Sequence, residues 1–265
     1  MSIATAIILV TVIGLIGAVI LVLAAKFMSV YEDPRVGEVT ECLPGANCGG
    51  CGYAGCADYA KAIVEGGAPV NKCAVGGAAC AAAIAAVMGV EAGSADKVAA
   101  VVGCMGATGV CKQKFIYQGI QTCAAAKAVQ GGPNACSYGC LGLGDCTRAC
   151  KFDAIHVENG LAKVQVENCV GCSACKDVCP QKIITMRNPA EQKPVVCCHS
   201  HERGPAVMKA CTAGCIGCGL CMKNCPEGAI KMDGFLPVID YEKCTGCYTC
   251  VDKCPKKIIH KAEDL

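Results

Sequence analysis

Apolar residues run from Ile3 to Ala25 without a charge, and Lys26 ends the run. Such a length, with no polar stripe, predicts one membrane-spanning helix over residues 1–26. No Lys or Arg precedes it, which sets it apart from a secretory leader. Lys26 and Arg35 follow it, so the positive-inside tendency expects a single-pass protein of the inner (cytoplasmic) membrane, with the bulk of the chain cytoplasmic. Beyond it the pattern becomes short-ranged. A cysteine-rich unit occupies residues 30–75, and an Ala/Gly-rich connecting α/β segment follows over 76–133. Its Ala-rich stretch reads as a small buried helix, Val98 to Val102 as a strand, and Gly131-Gly132-Pro133 as a turn. From there the chain repeats itself. Four cysteine runs each place an isoleucine five residues after their last cysteine: Cys150 and Ile155, Cys179 and Ile184, Cys225 and Ile230, Cys254 and Ile259. Short strands flanking a cysteine loop are expected, paired into two tandem modules at 134–190 and 208–265. The fold class is α+β.

Composition explains what would order such a chain. Among 265 residues there are 28 cysteines, no Trp and only 4% aromatics. Large side chains are too few for one big core, and metal ligation can take over that task. Disulfides suit an oxidising compartment, and cysteines packed as CxxCxxC sit too close in sequence to pair usefully. Zinc favours separated CxxC pairs, whereas CxxCxxCxxxCP is the bacterial ferredoxin run. The formal charge of +2 counts cysteines as neutral. Five oxidised cubanes with their thiolates would take it to roughly −8, so no nucleic-acid role follows from it.

In two-cluster ferredoxins the fourth cysteine of each run ligates the other cluster. That rule assigns Cys215, Cys218, Cys221 and Cys254 to one [4Fe–4S] cluster, and Cys244, Cys247, Cys250 and Cys225 to its neighbour. In the preceding module it assigns Cys169, Cys172, Cys175 and Cys150 to one cluster. It gives Cys136, Cys140, Cys146 and Cys179 to the other, although that run is stretched and carries Lys151 in place of proline. Near the N-terminus, Cys48, Cys51 and Cys56 lie on a Gly-rich loop, with Cys73 returning as fourth ligand; zinc is a fairer rival there. Five clusters are expected. Of the remaining cysteines, Cys42, Cys80 and Cys197 have no assigned role, and a small buried thiol suits Cys80. Cys104, Cys111, Cys123, Cys198 and Cys211 form no local run, but could converge on a sixth cluster. His199 and His201 read as surface histidines. Lys243, Lys253, Lys256, Lys257 and Lys261 crowd the last run, either as a solvated face or as a docking patch for an acidic carrier.

The N-terminal anchor, the CGGCGYAGC loop with its later cysteine, the CSYGCLGLGDC segment and the ferredoxin runs occur in an order that resembles the B subunits of Rnf complexes. These are ion-translocating ferredoxin:NAD⁺ oxidoreductases of bacterial membranes, and the resemblance is to the longer, anaerobe-type members with two modules. It implies electron uptake from reduced ferredoxin and delivery to membrane and flavin-bearing subunits, which couple NAD⁺ reduction to Na⁺ or H⁺ export across the lipid bilayer. No flavin or NAD site is expected on this chain, because the GxGxxG-like spacing in GCLGLGDC lacks a strand–helix context. The apolar helix holds no ionisable residue to carry an ion, so no complete active site is expected here. A polyferredoxin subunit of a hydrogenase or electron-bifurcating complex, and a zinc-structured or metal-storage protein, are the other readings.

Overall fold

A computed structural model describes residues 3–27, 33–94 and 97–262. The outermost residues of the expected anchor and of the last module lie outside that description.

Helix α1 (Ile3–Phe27) carries Lys26 as its one charge. Its described side chains run from Leu9 to Ala24, then Lys26, and the large apolar ones among them, such as Leu15 and Leu21, are exposed. Among the described residues no helix is long and apolar enough to cross a membrane.

Three helices build the N-terminal unit. Helix α2 (Pro34–Cys42) starts where the Asp33 carboxylate accepts the Arg35 N–H at 2.9 Å, with Pro34 in its first turn. It packs with α3 (Cys56–Gly66) and α4 (Gly77–Met88) around Val39, Tyr59, Ile63 and Ile84. The Tyr59 hydroxyl donates to the Pro69 carbonyl at 2.6 Å and accepts the Lys72 N–H at 3.1 Å. Cys80 is buried in α4 and donates to the Cys42 carbonyl at 3.1 Å.

The four isoleucines open four strands. β2 (Ile155–Glu158) and β3 (Leu161–Val164) form a hairpin, closed by Asn159-Gly160 with both φ angles positive, as an Asn-Gly hairpin turn requires. β4 (Ile184–Arg187) pairs antiparallel with β1 (Ala99–Val102), which lies far upstream. The second module repeats the plan. β6 (Ile230–Asp233) pairs with β7 (Leu236–Ile239), and β8 (Ile259–Lys261) with β5 (Pro194–Val196). In both, the middle strands form the hairpin and the first pairs with the last. The expected limits at 134 and 208 therefore cut each module off from its first strand. β1 belongs to the first sheet system rather than to a connector, because without it the Ile184 strand would have no partner.

Between β1 and β2 the chain forms α5 (Cys123–Ala128) and α6 (Asp145–Ala149). Helix α7 (Ala174–Val178) precedes β4, and α8 (Gly204–Ala210) and α9 (Leu220–Lys223) follow β5. α10 (Thr249–Asp252) completes the set. The two modules meet where Val101 of β1, Val195 of β5 and Cys197 share a buried cluster. The Arg187 guanidinium stacks there, 3.4 Å from the Tyr241 ring centre, and the Tyr241 hydroxyl donates to the Pro194 carbonyl at 3.1 Å.

Candidate metal centres

One local device recurs in all four cysteine runs. A residue in the left-handed region stands two places before the third cysteine: Gly144 before Cys146, Ser173 before Cys175, Gly219 before Cys221 and Tyr248 before Cys250, with φ from 57° to 78°. A one-turn helix starts at once and swings that thiol back over the loop. Ser173 and Tyr248 hold this conformation without being glycine, a local strain of the kind that accompanies functional loops.

The loops enclose cavities. Cys150, Cys169, Cys172 and Cys175 line one of about 20 Å³, and Cys215, Cys218, Cys221 and Cys254 line another of the same size. Each combines three cysteines of one run with the fourth of its partner run. Cys225, Cys244 and Cys250 pack on the core of the second module, with Cys247 exposed at its surface. Cys51, Cys56 and Cys73 pack on the N-terminal core. Cys48 stands half-buried on the same Gly-rich loop.

The stretched run departs from expectation. Its cavity, again about 20 Å³, is lined by Cys140, Cys146, Cys179 and Cys123, not by Cys136. The physical reason is spacing. Cys140, Cys146 and Cys150 stand in the same register as Cys169, Cys175 and Cys179, so Leu143 occupies the slot that Cys172 fills in the next run. Cys123, at the start of α5, fills the gap. It is held there by the Asp145 carboxylate accepting the Ala124 N–H at 3.0 Å and by Arg148 donating to the Gln121 carbonyl at 3.2 Å. Cys136 instead lines a larger cavity of about 170 Å³ with Cys104, Cys111, Cys197, Cys198 and Cys211, and Cys140 borders both cavities; Cys136 thus stands with the scattered group in place of Cys123. His199 also lines the larger cavity, half-buried and with Nδ1 unpartnered, and is no surface histidine; His201 is exposed.

Burial pushes many of these thiols up: Cys175 to about 12, and Cys104, Cys146, Cys215 and Cys250 to about 11. A buried thiol gives up its proton only to a group that brings positive charge with it, and iron does so. Backbone N–H groups already point at the sulfurs, Gly76 at Cys73 (3.3 Å), Ala154 at Cys150 (3.4 Å) and Ala100 at Cys169 (3.3 Å). Such bonds stabilise thiolate in a cluster and tune its potential. Among the described residues, no three His, Cys, Asp or Glu side chains converge tightly enough to hold a single ion. The donor sets ring cavities instead, and they fit a polynuclear iron–sulfur group.

Paired runs, exchanged fourth cysteines and two repeats of one small sheet plan define an iron–sulfur protein of the multi-cluster ferredoxin class. Family models agree with that class: an Fe-S cluster model matches residues 43–75, a 4Fe-4S binding domain 162–185 and a 4Fe-4S dicluster domain 214–258. Whole-chain relatives go further. The chain is 48% identical to the B subunit of the Na(+)-translocating ferredoxin:NAD(+) oxidoreductase complex of Acetobacterium woodii, over 87% of its own length and 69% of the relative's. It is 42% identical to the B subunit of the ion-translocating oxidoreductase complex of Methanosarcina acetivorans, over 87% and 88% respectively. With the B subunit of the proton-translocating ferredoxin:NAD(+) oxidoreductase complex of Clostridium ljungdahlii it shares 41%, over 88% and 83%. The chain belongs to this family, the B subunits of Rnf-type ion-translocating oxidoreductase complexes, and is an iron–sulfur electron-transfer subunit.

Proposed function

We propose that the chain is a membrane-anchored relay that takes electrons from reduced ferredoxin and passes them to the membrane and flavin-bearing subunits of its complex. Those partners couple NAD⁺ reduction to Na⁺ or H⁺ translocation. The observation that carries this reading is the set of cysteine-lined cavities built by one repeated loop. The groups assigned to hold [4Fe–4S] clusters are Cys48, Cys51, Cys56 and Cys73; Cys123, Cys140, Cys146 and Cys179; Cys150, Cys169, Cys172 and Cys175; Cys215, Cys218, Cys221 and Cys254; and Cys225, Cys244, Cys247 and Cys250. When bound, each supplies a one-electron carrier. The protein's part is to hold thiolates in place, exclude water and space the centres.

Helix α1 serves as the anchor in this reading. Its described side chains from Leu9 to Ala24 are uncharged, and the uncharged run of the sequence extends beyond them on both sides, from Ile3 to Ala25, a length that suits a bilayer span. A helix of that kind is stable only in a large core or a bilayer, and its exposed Leu15, Ile20 and Leu21 have no protein core around them.

Entry at the C-terminal module fits its surface. Cys218 and Cys247 are the two exposed cysteines of the described chain, and Lys243, Lys253 and Lys257 are exposed nearby in sequence. A positive rim beside accessible centres would speed encounter with an acidic carrier. Exit at the N-terminal unit follows from its short tether to α1. A Cys73→Ala chain in its membrane complex tests the direction. Ferredoxin should still reduce the C-terminal centres quickly, while delivery to the partners fails. Normal delivery by a variant shown spectroscopically to lack the first centre would place the exit elsewhere.

A further inference from the structure

Cys80 lies beyond the matched Fe-S cluster model, which ends at residue 75, and belongs to none of the ligand sets. It is nonetheless built into the wall of the first centre. Helix α4 starts at Gly77, directly after Gly76, whose N–H donates to Cys73 Sγ at 3.3 Å. The Gly77 N–H donates to the Cys73 carbonyl at 3.0 Å, and the Cys80 N–H to the Gly76 carbonyl at 3.3 Å. No side chain of Gly76 caps α4, and its first turn holds no acidic residue. Cys73 takes the place of a cap, so the positive end of the helix lies against the first centre.

Gly76 shows how near the two sulfurs are. A Cβ there would stand 2.7 Å from Cys80 Sγ and 3.3 Å from Cys73 Sγ, and would collide with Cys80 Cβ as well. The φ of Gly76 is −76°, which any residue adopts, so glycine is there for space and not for conformation. Cys80 is buried, and its thiol donates to the Cys42 carbonyl at 3.1 Å, a bond that requires it to keep its proton. The Cys73 sulfur is a second acceptor for the same S–H. Burial pushes the Cys73 thiol up, and hydrogen bonds from the Gly76 N–H and the Cys80 side chain counter it. One S–H thus serves two acceptors, a carbonyl oxygen and a ligand sulfur.

We propose that Cys80 is a positioning residue of the first centre: its thiol donates to the Cys42 carbonyl while that centre is oxidised and turns to Cys73 Sγ when it is reduced. The inference rests on the reading in which Cys48, Cys51, Cys56 and Cys73 hold a [4Fe–4S] cluster. Its cause is charge. Reduction adds one electron to the cluster and its thiolates, which makes the ligand sulfur a stronger acceptor than a neutral carbonyl. The S–H rotates and the proton stays on Cys80; no bond is made or broken and no co-reactant is consumed. A donor that favours the reduced form raises the potential of the centre. The first centre is the exit in the proposed relay, so a raised potential there draws electrons out of the ferredoxin modules toward the membrane partners.

The test is a redox titration of the oxygen-free full chain, followed by paramagnetic resonance and by infrared spectra of the S–H stretch. The signal missing from Cys73→Ala identifies the first centre. In Cys80→Ala that centre should keep its iron and sulfide, while the equilibrium constant for its reduction falls about tenfold. Cys80→Ser keeps a donor and should recover most of that loss. In the unaltered chain one S–H band, absent from both Cys80 variants, should move to lower frequency as the first centre is reduced. An unchanged potential in Cys80→Ala, an equal loss in Cys80→Ser, or a Cys80 band indifferent to reduction would overturn the proposal. Loss of the first centre's iron from Cys80→Ala would also overturn it, by making Cys80 a ligand or a structural support. A Cys73→Ala chain with its full iron and sulfide would count against the underlying ligand reading instead.

Discussion

Gly50 is the point at which the N-terminal unit touches the first ferredoxin module, and its replacement by alanine tests whether that contact matters. The new Cβ would meet Cys172 Cα and its carbonyl oxygen at 2.9 Å and its carbonyl carbon at 3.2 Å. All three are backbone atoms, so no rotamer change can relieve the clash. Restoring the 3.4 Å of ordinary contact needs a separation of about 0.5 Å along that direction. The loop opposite is stiff, because Ser173 carries a positive φ and its carbonyl accepts the N–H groups of Lys176 and Asp177. The N-terminal loop must therefore yield. Overpacking of this kind costs about 1–3 kcal/mol. If that cost falls on local opening, amide exchange in residues 48–56 and 170–177 should speed up roughly five- to 150-fold. Electron arrival at the first centre should slow while both modules fill normally. Gly37→Ala is the control: it sits in α2 with open space around the added methyl and should stabilise the helix by about 0.5–1 kcal/mol. Unchanged exchange and unchanged electron arrival in Gly50→Ala would refute the contact.

Three further outcomes follow from the same structure. Cys123→Ala should remove the centre shared with Cys140, Cys146 and Cys179, whereas Cys136→Ala should spare it; identical spectra of the two variants would contradict the reassignment. Iron chelation should abolish amide protection cooperatively across residues 99–262, because the modules bury few large side chains, and an apo chain with native protection there would show that metal does not organise it. Burial pushes Tyr59 up to about 12 from 10.0, so the folded unit keeps a proton that the unfolded chain releases. Its contribution is complete below pH 10 and fades as pH rises toward 12. Tyr59→Phe should cancel that dependence, at a cost of about 1–3 kcal/mol from the unpaired Pro69 carbonyl and Lys72 N–H; amide exchange in residues 56–72 measures both.

The strands are legible in the sequence because their signal is local. An isoleucine at a fixed distance from each run marks where the chain leaves the cysteine loop, and β2, β4, β6 and β8 begin at those residues. Their partners are harder to read for two different reasons. β1 pairs with a strand more than eighty residues away, and β5 is three residues long and begins with proline. Nothing within either segment records a partner so remote. The regular ligand sets are legible for the same reason as the strands, since three of four sulfurs lie within one loop. Cys123 is not, because it stands well upstream of the run it completes and looks like one more scattered thiol. Setting Cys140, Cys146 and Cys150 under Cys169, Cys175 and Cys179 exposes the vacant slot at Leu143 and frees Cys136. The larger cavity is partly visible as unassigned cysteines. Its closure depends on pairings such as Cys111 with Cys211, which only the folded chain provides.

The central claim is that this chain is a multi-centre electron carrier fed by ferredoxin. Rapid mixing of the oxygen-free full chain with stoichiometric amounts of pre-reduced ferredoxin, frozen at successive times for paramagnetic resonance, tests it most directly. The account predicts uptake of several electrons per chain, first into the centres of the C-terminal module and later into those beside Cys172 and Cys48. No electron uptake by a chain carrying its full iron and sulfide, or filling that begins at the N-terminal centre, would contradict it.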